Sequence, residues 1–173
     1  LAACFHDDAK IHLSWMSGSA EDFLAGSKRM AANKKPGTHT KHQIGGPYVL
    51  VDGARAFARC HVNLFTRLEL DGYEFDFQVW FQFFDRLERR DGVWRIVERT
   101  AVYEKDRMDP VVPGSVPDSY FADMDLSAFP PQVRFLSWRH SRTGNSPDPG
   151  KVFAASDEAA ALQQACEDWL AGA

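Results

Sequence analysis

Apolar and polar residues alternate with a period of two through the middle of the chain. Over residues 73–83, Tyr73, Phe75, Phe77, Val79, Phe81 and Phe83 fall on one side, against Glu74, Asp76, Gln78, Trp80 and Gln82 on the other. Successive side chains of an extended strand point to opposite faces, so this spacing predicts a β-strand. Residues 54–67 alternate in the same way. Ala54, Ala56, Ala58, Cys60, Val62 and Leu64 oppose Arg55, Phe57, Arg59, His61, Asn63 and Phe65. Residues 93–103 make a third run. The pairs Asp52-Gly53, Asp71-Gly72 and Asp91-Gly92 punctuate these runs. Asp-Gly tolerates the positive φ angles of tight hairpin turns, so the pattern predicts an antiparallel meander of long strands. Both faces carry large apolar residues, since Trp80 and Phe84 oppose the 75–83 row. One face is expected to pack on helices. The other needs a cover, either the C-terminal arm of the same chain or, as we expect, a second subunit in a homo-oligomer, a dimer or trimer.

Helical spacing occurs towards both ends. Ser19 followed by Glu21 and Asp22 reads as an N-cap with early acids, and Phe23, Leu24, Ser27, Met30 and Ala31 follow on one face. Ser156 can cap a second helix with a stripe of Leu162, Ala165, Cys166, Trp169 and Leu170, ended by Gly172. Residues 1–5 read as the last turn of a helix begun upstream, because the chain opens at Leu1 rather than Met and further residues are expected before it. Between Asp109 and Gly150 lie most of the nine prolines. That stretch is expected to be an extended arm with a short ordered piece around 133–138.

The bulk numbers narrow the function classes. A chain of 173 residues with 45% hydrophobic residues suits one domain with a real core. A net charge of −4 with both signs interspersed argues against a nucleic-acid partner. No apolar run approaches the roughly 18 residues of a membrane span, and no secretory leader is visible. Cys4, Cys60 and Cys166 form neither a disulfide framework nor a zinc spacing, so a reducing, cytoplasmic setting is expected, with each cysteine a small buried apolar residue. His39 and His42 would point to opposite faces of a strand, which makes them a poor metal pair. Gly45-Gly46-Pro47 is a turn and not a phosphate loop, and no serine-nucleophile elbow is present. The basic cluster of Lys28, Arg29, Lys34 and Lys35 reads as a solvated face.

The stretch THTKHQIGG, from Thr38 to Gly46, carries the candidate chemistry. As a strand it places Thr40, His42 and Ile44 on one face, so His42 is expected to point inward beside Ile44. A neutral imidazole with a pKa near ~6.5 can accept a proton at neutral pH. A packed core histidine is the other reading of the same residue.

Four segments resemble the SnoaL-like branch of the nuclear-transport-factor-2-like superfamily. LAACFHDDAKIHL resembles the end of its first helix running into the first strand, and SGSAEDFLAG the next helix start. TKHQIGG resembles the strand that carries the catalytic histidine in scytalone dehydratases. ERRDGVWRIVERTAVYEKDR resembles the final hairpin. The resemblance covers residues 1–110 and leaves 111–173 as a C-terminal extension. It implies an α+β, cystatin-like fold: a cone-shaped, curved antiparallel sheet wrapped against N-terminal helices, followed by an extended arm and a helix. It also implies a cofactor-independent lyase or isomerase, with dehydratase- or cyclase-type proton abstraction from a small apolar, aromatic or polycyclic molecule.

His42 would then be the base, and Tyr103 could donate a hydrogen bond to a developing oxyanion. Trp15, Met16, Phe23, Met30, His61 and Phe81 are the candidate substrate-binding residues; plain core packing, or for His61 a surface position, is the alternative for each. Arg67 reads as solvated near its turn, and Asp7 and Asp8 as turn residues too far along to orient His42. No metal and no cofactor is expected. A non-catalytic small-molecule binding module, or a structural partner protein using its sheet face, is the competing reading.

Overall fold

The computed structural model describes residues 1–143 and 151–172. Its centre is a ladder of three long strands, β5 (Arg55–Leu70), β6 (Tyr73–Arg90) and β7 (Val93–Pro110). Asp71 and Gly72 take φ of 54° and 85°, and Asp91 and Gly92 take 50° and 80°, so both hairpins close through two residues in the left-handed region, as the Asp-Gly pairs require. β1 (Phe5–Leu13) lies parallel to β7, and β2 (Met16–Ser19) returns along β1. On the opposite edge, β3 (His39–Ile44) and β4 (Tyr48–Asp52) pair with successive halves of β5. A short β8 (Val152–Phe153) adds to β7 at Val102 and Tyr103. The result is a mixed α+β fold with a curved, unclosed eight-stranded sheet.

The register assigns every residue to a face. Leu64, Val79 and Asp106 align with His42, and Val62, Phe81 and Tyr103 with Ile44. This inner face carries the buried Phe75, Phe77, Val79 and Phe81. Helix α1 (Ala20–Ala32) covers one end of it, packing Phe23 near Phe5, Ile96 and Leu87. The helix starts at a capping box, in which Ser19 Oγ accepts from the Asp22 amide at 3.1 Å and an Asp22 carboxylate oxygen accepts from the Ser19 amide at 3.1 Å.

The extension covers the other end of the inner face. Helices α2 (Asp118–Ala122) and α3 (Arg134–Arg142), with a 3-10 turn at Pro131–Val133 between them, bring Val116, Met124, Val133 and Leu136 onto the phenylalanine row. The arm is therefore helical at 118–122 and 131–142; the second stretch contains the short ordered piece expected around 133–138, and the first departs from the extended path expected there. Proline and glycine interrupt its pattern, and the four-residue spacing of Leu136 and His140 is too short a run to stand out. Its stretch 144–150 lies outside the described residues.

Helix α4 (Asp157–Ala171) packs on the outer face, setting Cys166 against Phe57, Phe84 and Val102. Ser156 caps it and Gly172 ends it at φ 81°, as the sequence predicts. Arg55 and Arg86 lie 4.5 and 6.0 Å from the Trp169 ring. Part of the outer apolar face is thus covered within the chain, where the sequence pattern had pointed to a second subunit. At the N-terminus, residues 1–5 hold only a single 3-10 turn, Ala2–Cys4, before β1 begins. Asp7 and Asp8 belong to that strand rather than to a turn, and Asp8 pairs with Arg90 at 2.8 Å. Among the three free cysteines only Cys166 is buried, and Cys4 is exposed, because nothing packs on that first turn.

Gly26 in the middle of α1 has a packing reason. A β-carbon there would lie 2.6 Å from Cζ3 and 2.9 Å from Cη2 of the Trp15 ring. Gly26→Ala normally gains roughly 1 kcal/mol of helix propensity. Here it is expected to lower the unfolding free energy by about 1–3 kcal/mol through overpacking, measured by urea denaturation. A stabilised variant would show that Trp15 can move aside.

Candidate active site

His42 lies on the inner face, on the side of Ile44, as the alternation predicts. Its surroundings differ from the expected pocket floor. β3 pairs only with β5, so all six of its residues are exposed, and Ile44 is 61% exposed. The ring is therefore at an open rim. Neither ring nitrogen has a hydrogen-bond partner among the described residues, in contrast to His6 on the Glu88 carbonyl and His12 on Ser17. Enough protein surrounds the ring to disfavour its charged form, so desolvation lowers its pKa below the usual histidine value. The imidazole is thus neutral, accessible and unpartnered. No carboxylate or phenol of a described residue orients it.

The other sequence-predicted residues fall into separate places. Phe81 and Tyr103 meet on the inner face with ring centroids 5.4 Å apart. Tyr103 is 4% exposed, and its hydroxyl oxygen accepts from the Ser14 amide at 2.8 Å. It is three strand spacings from His42, about 14 Å along the sheet. Trp15 and Phe23 pack together at 5.9 Å, and Met16 joins them in the α1 cluster. Met30 is exposed at the far end of α1, because the helix extends past the sheet. His61 is on the outer face, opposite His42 in the sheet plane, with Nδ1 3.4 Å from Glu104. It cannot line a site that contains His42, because odd and even positions of β5 face opposite ways. Arg67 also faces outward and is exposed to solvent, as expected, with Asp76 accepting two of its hydrogen bonds at 2.8 and 2.6 Å. With Phe65 and Gln78 these two line a shallow outer depression of about 560 Å³.

Two groups of polar residues on the inner face escaped the sequence reading. Asp85 and Arg99 form a two-bond ion pair at 2.7 and 2.6 Å, with the guanidinium 4.0 Å from the Phe83 ring centroid. Asp106 accepts from the Leu136 amide at 2.7 Å at the start of α3, and burial outweighs its backbone hydrogen bonds and raises its carboxyl pKa to about 6. Asp85 continues the inward odd-numbered row of β6 past Phe83, a signal that could have found it, whereas a bulge in β7 between Tyr103 and Lys105 reverses the alternation before Asp106 and hides it from the pattern. Among the described residues, no group of three or more His, Cys, Asp or Glu side chains is placed to hold a metal ion, and no helix is long and apolar enough to cross a membrane.

Residues 1–100 match the model of the SnoaL-like domain. The chain belongs to the SnoaL-like family. It is 33% identical over 147 residues to Pea pathogenicity protein 2 of Fusarium vanettenii, and 29% identical over 145 residues to a PEP2-like protein of the same fungus. Each match takes in 81% of this chain and 60% of the relative, so the chain spans less than two thirds of these proteins. In structure it resembles LinA, with a TM-score of 0.52 and 20% identity over 68% of this chain and 78% of that one, a likeness of fold. That fold is the cystatin-like, nuclear-transport-factor-2-like one expected from the sequence.

Two outcomes test this electrostatic picture. In an NMR titration the His42 ring should change charge at a lower pH than a free histidine; a midpoint at or above ~6.5 would contradict the desolvated setting. Asp106 has a folded pKa raised from 3.8 to about 6. Its contribution to stability is therefore present below the unfolded value and lost as pH rises through about 6. Asp106→Asn keeps an acceptor for the Leu136 amide but removes the titration. Relative to the variant, the wild type should lose roughly 1–3 kcal/mol between pH 4 and 6.5 in urea unfolding. A pH-independent difference would place the carboxyl pKa at its ordinary value. Opposing slopes from groups common to both proteins, such as the buried, neutral His140, cancel in this comparison.

Proposed function

We propose that the protein is a cofactor-independent lyase or isomerase that removes a proton from a small apolar, aromatic or polycyclic molecule held against the inner face of the sheet, with His42 as general base. The observation that carries this reading is the state of that one ring. It is open to solvent, free at both nitrogens among the described residues and placed on the face that also holds Leu64, Val79 and Phe81, and desolvation lowers its pKa, which favours the neutral form. A base must reach the proton it removes, and a ring already bonded to protein is less able to do so. Family membership supports the same chemistry, since a SnoaL-like fold shared with LinA is compatible with proton abstraction followed by elimination or rearrangement.

One observation favours a second reading, a binding module without catalysis. No described carboxylate or phenol orients His42, and catalytic bases usually have such a partner. Tyr103 is three strand spacings from His42, too far to orient that ring.

The two readings separate in a proton-exchange assay. Aryl ketones and hydroxylated naphthalenones are incubated with the protein in D2O, and loss of the proton next to the carbonyl is followed by NMR. Catalysed exchange is expected, and His42→Ala should reduce it by roughly 10²–10⁴-fold. Its unfolding free energy should stay within about 0.5 kcal/mol of wild type, as for an exposed side chain without partners. Ligand binding without exchange, or exchange that survives His42→Ala, would move the assignment to the binding module or to another base.

A further inference from the structure

Six of the thirteen arginines are matched by a carboxylate among the described residues. Arg67, Arg86, Arg90, Arg99, Arg107 and Arg142 each hold one at 2.6–2.8 Å. Arg139 does not. It is on α3 with its guanidinium 5.4 Å above the ring of Phe77, on the inner face. No carboxylate of a described residue makes an ion pair with it. Its one side-chain hydrogen bond is a long one, Nη2 to His140 Nε2 at 3.5 Å. The carboxylate of Asp106 acts on it only through space, because that group is turned to the amide of Leu136.

Placing a guanidinium among apolar side chains costs several kcal/mol unless charge and hydrogen bonds compensate. A stacked phenyl ring returns only part of that. The surroundings lower the Arg139 pKa to about 10, which still leaves it fully charged at neutral pH. His140 adds a second polar group to the same spot. It is 5% exposed, and its Nδ1 has no partner. Arginine cannot accept a hydrogen bond, so His140 Nε2 is the acceptor and the ring proton is on Nδ1, a donor without an acceptor. Two donor groups therefore meet under α3 with no anion from the chain between them.

We propose that Arg139, with His140 beside it, anchors a small organic carboxylate where α3 meets the inner face of the sheet. The planar guanidinium fork matches a carboxylate in two parallel hydrogen bonds. The guanidinium is over Phe77 of β6, two strand spacings across and two residues along from the position of His42, roughly 12 Å away. The site belongs to the extension and stands whether or not His42 is a base.

Benzoate, and benzamide as its neutral isostere, are titrated into the full chain by calorimetry. Benzoate is expected to bind at least tenfold more tightly than benzamide. Arg139→Gln should weaken benzoate at least tenfold, Arg139→Lys should fall in between, and His42→Ala should leave the affinity unchanged. Equal affinity for benzoate and benzamide in the wild type, or no binding of either, overturns the proposal without any variant. So does undiminished benzoate binding by folded Arg139→Gln. If Arg139→Gln fails to fold, the comparison with Arg139→Lys carries the test, and benzoate affinity equal to wild type in that variant counts against a two-bond carboxylate contact.

Discussion

Two pairs of residues with positive φ, Asp71-Gly72 and Asp91-Gly92, join β5, β6 and β7 and fix which residues stand opposite one another along ladders of 16 to 18 residues. Because side chains alternate with period two, a slip of one residue in either hairpin would exchange the faces of an entire strand. Phe75, Phe77, Val79 and Phe81 would turn outward, and Asp76, Gln78, Trp80 and Gln82 would turn in. Each later feature inherits this register: the helices that pack on the inner row, the face on which His42 lies, and the ring that meets Arg139. β6 is paired on both sides and apolar towards the inner face, so it could not give way and leave the rest in place.

Onto that frame the chain lays helices in two directions. The segment before the meander contributes α1, held by a capping box and by Trp15 against a glycine. The segment after it contributes α3 to the inner face and α4 to the outer. The inner face is therefore shared between the family domain and the extension, and its polar groups are distributed accordingly. Asp85 and Arg99 satisfy one another beneath α1. Asp106 holds the start of α3. His42 from one part of the chain, and Arg139 and His140 from the other, are among the groups left with unused hydrogen-bonding capacity.

The meander was legible because long amphipathic strands and Asp-Gly turns are local signals. So were the caps at Ser19 and Ser156 and the stop at Gly172. The face of His42 also followed from alternation alone. Its exposure did not, since burial depends on what lies beyond a strand, and nothing in THTKHQIGG says that β3 forms an edge. His61 could have been placed correctly by counting from Leu64, because the two positions differ by an odd number. Tyr103 required knowledge of where Ser14 comes to rest, 89 residues away in sequence. The helical content of the arm was hidden by its prolines, and with it the whole setting of Arg139.

The parallel pairing of β1 with β7 joins Phe5 to Ile96, and β8 reaches the same strand at Val102 and Tyr103. Contacts so distant in sequence close long loops and are costly to form early, whereas the β5–β6–β7 hairpins bring near neighbours together. The meander is thus the natural nucleus for folding, with the two ends of the chain docking on it afterwards. During synthesis the N-terminal strand must wait for β7 to emerge, with only β2 and α1 to cover it until then. The helix bearing Arg139 follows later still, so the surroundings of that side chain are among the last parts of the molecule to acquire a shape.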